Sequence, residues 1–165
     1  MTDRLPSADL TFDQLRAGDR FPLSSRQLSR EEIIAFASKY DPQPFHLDDE
    51  AAAASPIFKG LSASGWHAAV LMSLMLDGLW KGTAVHGLAG GGVDEIRWIA
   101  PVYPGDVLTG TMEVVSVRPS ATRPERGIMT MRTTLTNQDG QPVATMVITG
   151  VFARYPAGQA AIGKR

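Results

Sequence analysis

The sequence predicts one α+β domain in which a sheet wraps a long, buried helix. Three observations carry that expectation. The run from Gly65 to Trp80 reads as a helix whose Val70, Leu71, Met72, Leu74, Met75, Leu76 and Leu79 cover nearly all of its faces. A helix apolar all round is one surrounded by structure. Four later segments, 93–102, 106–118, 127–137 and 142–155, are rich in Val, Ile, Thr and Met and are separated by turn signals. The helices lie near the front and four strands follow them, so the chain does not alternate as a parallel α/β fold would. At 165 residues it is the size of one domain with a real core. That domain is expected over residues 12–156, with loosely ordered tails at 1–11 and 157–165.

Taken in order, Ala17-Gly18-Asp19 is a turn signal, and a first strand is expected from about Asp19 to Leu28. Ser29-Arg30-Glu31-Glu32 is a capping box that opens a helix. Ile33, Phe36, Ala37 and Tyr40 recur at helical spacing and should face the core. This helix must stop near Tyr40, because Asp41 precedes a proline. A short helix through Ala51–Ala54 is expected, capped by Asp48 or Asp49 and ended by Ser55-Pro56. The central helix should start at Ser64-Gly65, with Ser64 as its cap. The glycine-rich stretch from Lys81 to Gly92 reads as a flexible entry to the next strand, with His86 exposed in it. Gly90-Gly91-Gly92 is not followed by the Lys-Ser/Thr of a phosphate loop. Along 129–136, Met129, Met131, Thr133 and Leu135 alternate with Thr130, Arg132, Thr134 and Thr136, as on a half-buried strand. Pro104-Gly105-Asp106 and Asn137-Gln138-Asp139-Gly140 are turn signals.

Bulk properties narrow the function. The formal net charge is -1, and no dense basic run is present, so nucleic acid is not an expected partner. There is no cysteine, which excludes disulfides and thiolate chemistry. The apolar run of α-helical length spans only about 25 Å, short of the ~30 Å hydrocarbon core, and holds His67 and Asp77. No membrane span is expected. The polar N-terminus lacks the apolar core of a signal peptide, so the expected location is cytoplasmic.

The chemistry-bearing stretch is Tyr40-Asp41-Pro42-Gln43-Pro44-Phe45-His46-Leu47-Asp48. Two prolines lie between a carboxylate and an imidazole. Asp41 and His46 therefore cannot share a regular helix, and a stiff, extended loop is expected between them. Such a loop holds an acid and a base in fixed relation, suited to gripping a water for proton transfer. Taken alone, the residues leave a plainer reading open, with Asp41 closing a turn and His46 packed in the core. His46 and Asp48 could also be read as metal ligands, but no second set follows at useful spacing, so no metal is expected.

Downstream stand Phe58-Lys59-Gly60-Leu61-Ser62-Ala63-Ser64-Gly65-Trp66-His67 and then the apolar helix. Asp-x-x-Pro-x-His, a short helix, a glycine-bearing turn and a buried helix together resemble the MaoC-like dehydratases, or R-specific enoyl-CoA hydratases. The resemblance runs from about Arg16 to Tyr155. Segments 93–98 and 101–106 look like the family's strand and turn. The resemblance implies the hot-dog fold, a curled antiparallel sheet around one helix. It implies reversible hydration of a trans-2-enoyl-CoA to an R-3-hydroxyacyl-CoA, as in fatty acid metabolism. It needs no cofactor, since coenzyme A belongs to the substrate. It also implies a homodimer, with Asp41 and His46 holding the catalytic water, Gly65 N–H donating to the thioester oxygen, and Ser73 positioning the group. A serine bonded back to its own helix is the plainer reading of Ser73. Which of Asp41 and His46 acts as base is left open. The sequence departs from the family pattern at Gln43, Phe45 and Ser64, and Trp66 follows the glycine. These four are expected around the acyl pocket. Lys59 and Arg97 are candidates for the phosphates of coenzyme A; the loop with Arg118, Arg123 and Arg126 reads as a solvated tip, though it could meet phosphate.

Two other readings stand beside hydration. An acyl-CoA thioesterase on the same fold would need a carboxylate on the central helix, where Asp77 is the candidate. A non-catalytic acyl-CoA-binding subunit would bind the thioester and leave it unchanged.

Overall fold

Ser29 starts the first helix by the mechanism its spacing predicts: its Oγ accepts from Glu32 N–H at 3.2 Å, and Glu32 accepts from Ser29 N–H at 3.1 Å. The computed structural model describes residues 5–155, so the expectations for 1–4 and 156–165 lie outside the described residues. The elements run β1 (Arg20–Gln27), α1 (Arg30–Tyr40), α2 (Asp49–Ala53), α3 (Gly65–Trp80), β2 (Gly87–Trp98), β3 (Val107–Pro119), β4 (Arg126–Thr136) and β5 (Pro142–Ala153). All strands form one antiparallel sheet in the order β1-β3-β4-β5-β2. The sheet curls around α3, which is the hot-dog arrangement the motifs imply.

The core lies between α3 and the concave face of the sheet. Met72, Met75, Leu76 and Leu79 of α3 meet Leu108, Met112 and Val114 of β3, Met129, Met131 and Leu135 of β4, and Val143 and Met146 of β5. Each such side chain contributes about 1.5–3 kcal/mol on burial. The alternation expected along β4 is present, with Met129, Met131, Thr133 and Leu135 all inward. The Pro104-Gly105 turn also forms, with Asp106 N–H bonded to Tyr103 O and Gly105 at φ 91°.

Four expectations need correction. First, the glycine-rich entry is strand: β2 begins at Gly87, pairs with β5 through three register shifts, and ends at Trp98. Ladder bonds to β5 outweigh the low strand preference of glycine there. Second, Tyr40 is 61% exposed; at the last helical position it lies tilted against Phe36 on the solvent side. Third, α3 is not covered all round, because Val70 and Leu74 are exposed at 45% and 56%. Fourth, the Asp41–His46 loop is not extended throughout. Pro44 starts a 3-10 turn, Pro44–His46, as proline can where its missing N–H is not needed.

Candidate active site

Asp41 ends α1. Its N–H still bonds to Ala37 O at 2.9 Å, while φ −154° and ψ 70° take its backbone out of the helix. The side chain is thus presented beyond the packed faces. His46 follows in the 3-10 turn and is buried. Its Nδ1 lies 2.7 Å from Ser62 O. A carbonyl can only accept, so in the neutral ring Nδ1 carries the proton and Nε2 is left as an acceptor. Phe45 and Phe58 pack on the imidazole, at 4.6 and 6.0 Å between ring centres. That shell and the Ser62 bond fix the ring so that Nε2 faces Asp41 Oδ2 at 3.7 Å. The separation is too long for a direct hydrogen bond and suits two acceptors sharing one water.

Asp41 Oδ2 also accepts from Ser64 Oγ at 2.6 Å. Ser64 caps α3, accepting from Trp66 N–H at 3.2 Å, and its carbonyl takes His67 N–H at 3.0 Å. Among the described residues nothing accepts from Gly65 N–H, the first amide of α3. A free amide at a helix start favours a negative oxygen.

Asp41, His46, Ser64 and Gly65 form the polar end of an open cleft of about 390 Å³. Its other walls are largely apolar: Ile57, Phe58 and Ala63 from the loop before α3, Trp66 and Ala68 on α3, Trp98 at the end of β2 with 99–102 after it, and Val143 and Ala144 on β5. The size and the pairing of one polar end with apolar walls suit a small organic ligand.

Of the residues expected at the site, Asp41, His46, Ser64, Gly65 and Trp66 come together. Phe45 stands behind His46, tilted against Phe58 at 5.0 Å, and does not line the cleft. Gln43 is exposed, and its backbone carbonyl takes His46 N–H at 2.9 Å. Ser73 is not brought to the site: its Oγ donates back to Ala69 O at 3.3 Å. Lys59 is exposed beside Phe58, and Arg97 is exposed and paired with Glu95 at 3.2 Å. The Arg118, Arg123 and Arg126 tip sits at the far end of the sheet. Arg126 pairs with Ala153, whereas the cleft takes Ala144, nine residues away and about 30 Å along β5. Asp77 is exposed, bonded to Lys81 at 2.8 Å and outside the cleft. Among the described residues no group of three or more His, Asp and Glu is placed to hold a metal ion, and no helix is long and apolar enough to cross a membrane.

Sequence reasoning missed Ser62 and Trp98. Ser62 acts through its backbone carbonyl, which leaves no side-chain signal. Trp98 was legible only as one residue of the expected 93–102 strand, and the β2–β5 register brings it over α3.

A family model described as MaoC like domain matches residues 15–137. The uncharacterised protein YdeM of Bacillus subtilis (strain 168) is 32% identical over 130 residues, covering 78% of this chain and 89% of YdeM. Among solved structures, a MaoC-like dehydratase from Rhodospirillum rubrum superposes with TM-score 0.77 and 37% identity, covering 89% of this chain and 99% of that one. The (R)-hydratase from A. caviae involved in PHA biosynthesis superposes with TM-score 0.64 and 27% identity, covering 86% of this chain and 98% of that one.

Proposed function

Because the chain belongs to the MaoC-like domain family, which includes dehydratases and hydratases, we propose that it adds water reversibly to a trans-2-enoyl-CoA, giving an R-3-hydroxyacyl-CoA. The observation that carries this reading is the 3.7 Å relation between Asp41 Oδ2 and His46 Nε2, in a cleft that also holds the unpaired Gly65 N–H.

The chemistry follows from those groups. Both facing atoms are acceptors, so a water between them donates one proton to each and turns a lone pair into the cleft. Its oxygen bonds to C3 of the enoyl group as the pair removes a proton. The π electrons move to C2 and onto the thioester oxygen, where Gly65 N–H stabilises the developing charge. Donors of this kind are worth several kcal/mol in a transition state. The pair then returns a proton to C2 on the same face, so water is added across the bond with no other reactant. We assign both proton steps to Asp41 and His46 jointly, with Asp41 as base. The imidazole works through Nε2, since Nδ1–H is held by Ser62 O. The apolar walls, with Trp66 and Trp98 at the mouth, suit a short acyl chain. The exposed Asp77 offers no base for thioester hydrolysis.

The same reading includes a second copy of the chain. β2 pairs only with β5 among the described residues, and its other edge is open over twelve residues. Leu88, Val93, Trp98 and Ile99 are exposed on it or beside it, as are Trp66, Val70 and Leu74 on α3. A long, apolar open edge is completed by pairing with its own kind.

The test is the loss of enoyl absorbance when the protein meets a short trans-2-enoyl-CoA. Wild type should convert it to the R product, and Asp41→Asn should be slower by about 10²–10⁴-fold, the range for a general acid-base group. Thiol release without hydration would mean thioesterase chemistry. Binding with no change in the thioester would mean a carrier or assembly subunit.

A further inference from the structure

We infer that Ser64 is the positioning residue of the acid-base pair, holding Asp41 through its hydroxyl; the inference rests on the hydratase reading of the same cleft. Ser64 is 1% exposed and sits on neither partner's element. Its Oγ has one proton and two lone pairs. Trp66 N–H points at Oγ from 3.2 Å and takes a lone pair. The single proton is thereby directed to the short contact, Asp41 Oδ2 at 2.6 Å. That oxygen is the one facing His46 Nε2.

Asp41 needs such a donor. It caps the C-terminal end of α1, where free carbonyls make a carboxylate unwelcome. The start of α3 has the opposite polarity, and Ser64 links the two helix ends through one hydroxyl. A carboxylate held by a charge-assisted bond keeps one rotamer, and with it the 3.7 Å relation to the imidazole. Ser73, the other serine in question, bonds to Ala69 O and reaches neither partner.

A serine at this position also caps the helix, so the experiment must separate the two roles. Ser64→Gly largely retains the cap, since glycine replaces a capping serine at a cost of only a few tenths of a kcal/mol, but it removes the donor. Ser64→Thr keeps both, and Ser64→Ala removes both. With a short trans-2-enoyl-CoA, kcat should fall about 10–100-fold in both Ala and Gly variants, the range for one hydrogen bond to a charged group. KM should stay within about twofold, and Thr should restore most of kcat. If kcat instead tracks the thermal midpoint, falling in Ala but not in Gly, Ser64 is a cap only and the inference is overturned. Crystal structures of wild type and Ser64→Ala decide the matter even if no enoyl-CoA is hydrated, a result that would count against the proposed reaction. Rotation of the Asp41 carboxylate away from His46 in Ser64→Ala supports the positioning role, and an unmoved carboxylate refutes it.

Discussion

The Trp98 indole occupies the space where a side chain at position 65 would begin: a Cβ built on Gly65 would lie 2.2 Å from Trp98 Nε1 and 2.4 and 2.6 Å from its ring neighbours. The three distances place the indole face over the first turn of α3. Glycine is thus demanded here by close approach and not by an unusual φ.

The first prediction follows from that contact. Gly65→Ala must push the indole aside, at the usual overpacking cost of about 1–3 kcal/mol, and should lower hydration as well as thermal stability. Trp98→Ala in the same chain removes the clash. The double variant should be more stable than the sum of the two single changes requires. Strictly additive unfolding free energies in urea would show that the indole does not lie on Gly65 in solution.

How far the site was legible follows from which atoms build it. Asp41 and His46 could be found because two prolines lie between them, and Gly65 because it opens an apolar helix. The Ser62 carbonyl and the Gly65 amide are backbone groups, and their use depends on how the loop before α3 docks, with Ser62 N–H on Phe45 O and Ala63 N–H on Val102 O. Ser73 lies eight residues along α3 from Gly65, which is about 12 Å up the helix axis, too far for its hydroxyl to serve the helix start. Trp98 is remote in sequence and arrives through strand register. The same holds for the fold. Helix starts and turns were legible because caps and glycine turns are local. The start of β2 was not, because β5 supplies the bonds that make Gly87–Gly92 a strand.

Chain-length preference should depend on the two tryptophans at the mouth of the cleft, whose rings meet edge to face at 5.5 Å. Trp98→Ala and Trp66→Ala open apolar volume where a longer acyl chain would run. The ratio of kcat/KM for a long over a short trans-2-enoyl-CoA should rise about tenfold or more, in line with 1–3 kcal/mol for a methylene fitted or refused by a pocket. An unchanged ratio in both variants would place the chain-length limit elsewhere.

A charge on the open edge of β2 should separate the copies. Val93 is exposed near the middle of the strand, opposite Ile148 of β5. In a two-fold pairing of β2 edges, Val93→Asp places two carboxylates in or near the seam, where like charges repel. Sedimentation should show wild type as a dimer and the variant shifted toward monomer, with the monomer still folded by circular dichroism. A monomeric wild type at micromolar concentration would remove β2 pairing from the proposal.

His67 should make stability depend on pH in a window apart from the carboxylates. It is buried on α3, stacked on Phe36 at 4.4 Å, and its Nδ1 has no partner among the described residues. Burial holds its pKa below the ordinary 6.5; Glu32 opposes the shift and Arg26 adds to it. The folded protein therefore keeps this ring neutral at a pH where the unfolded chain has already bound a proton. Stability is fully present above the unfolded pKa and is lost as pH falls from there toward the depressed folded value. Between pH about 7.5 and 5.5 the carboxylates stay ionised, so the loss belongs to histidines. His67→Phe keeps the stack and removes the titration. Its unfolding free energy in urea should fall less over that range than that of wild type, and the difference between the two curves isolates His67 from His46 and His86. Parallel curves would mean that the ring is protonated as readily in the folded protein as in the unfolded chain.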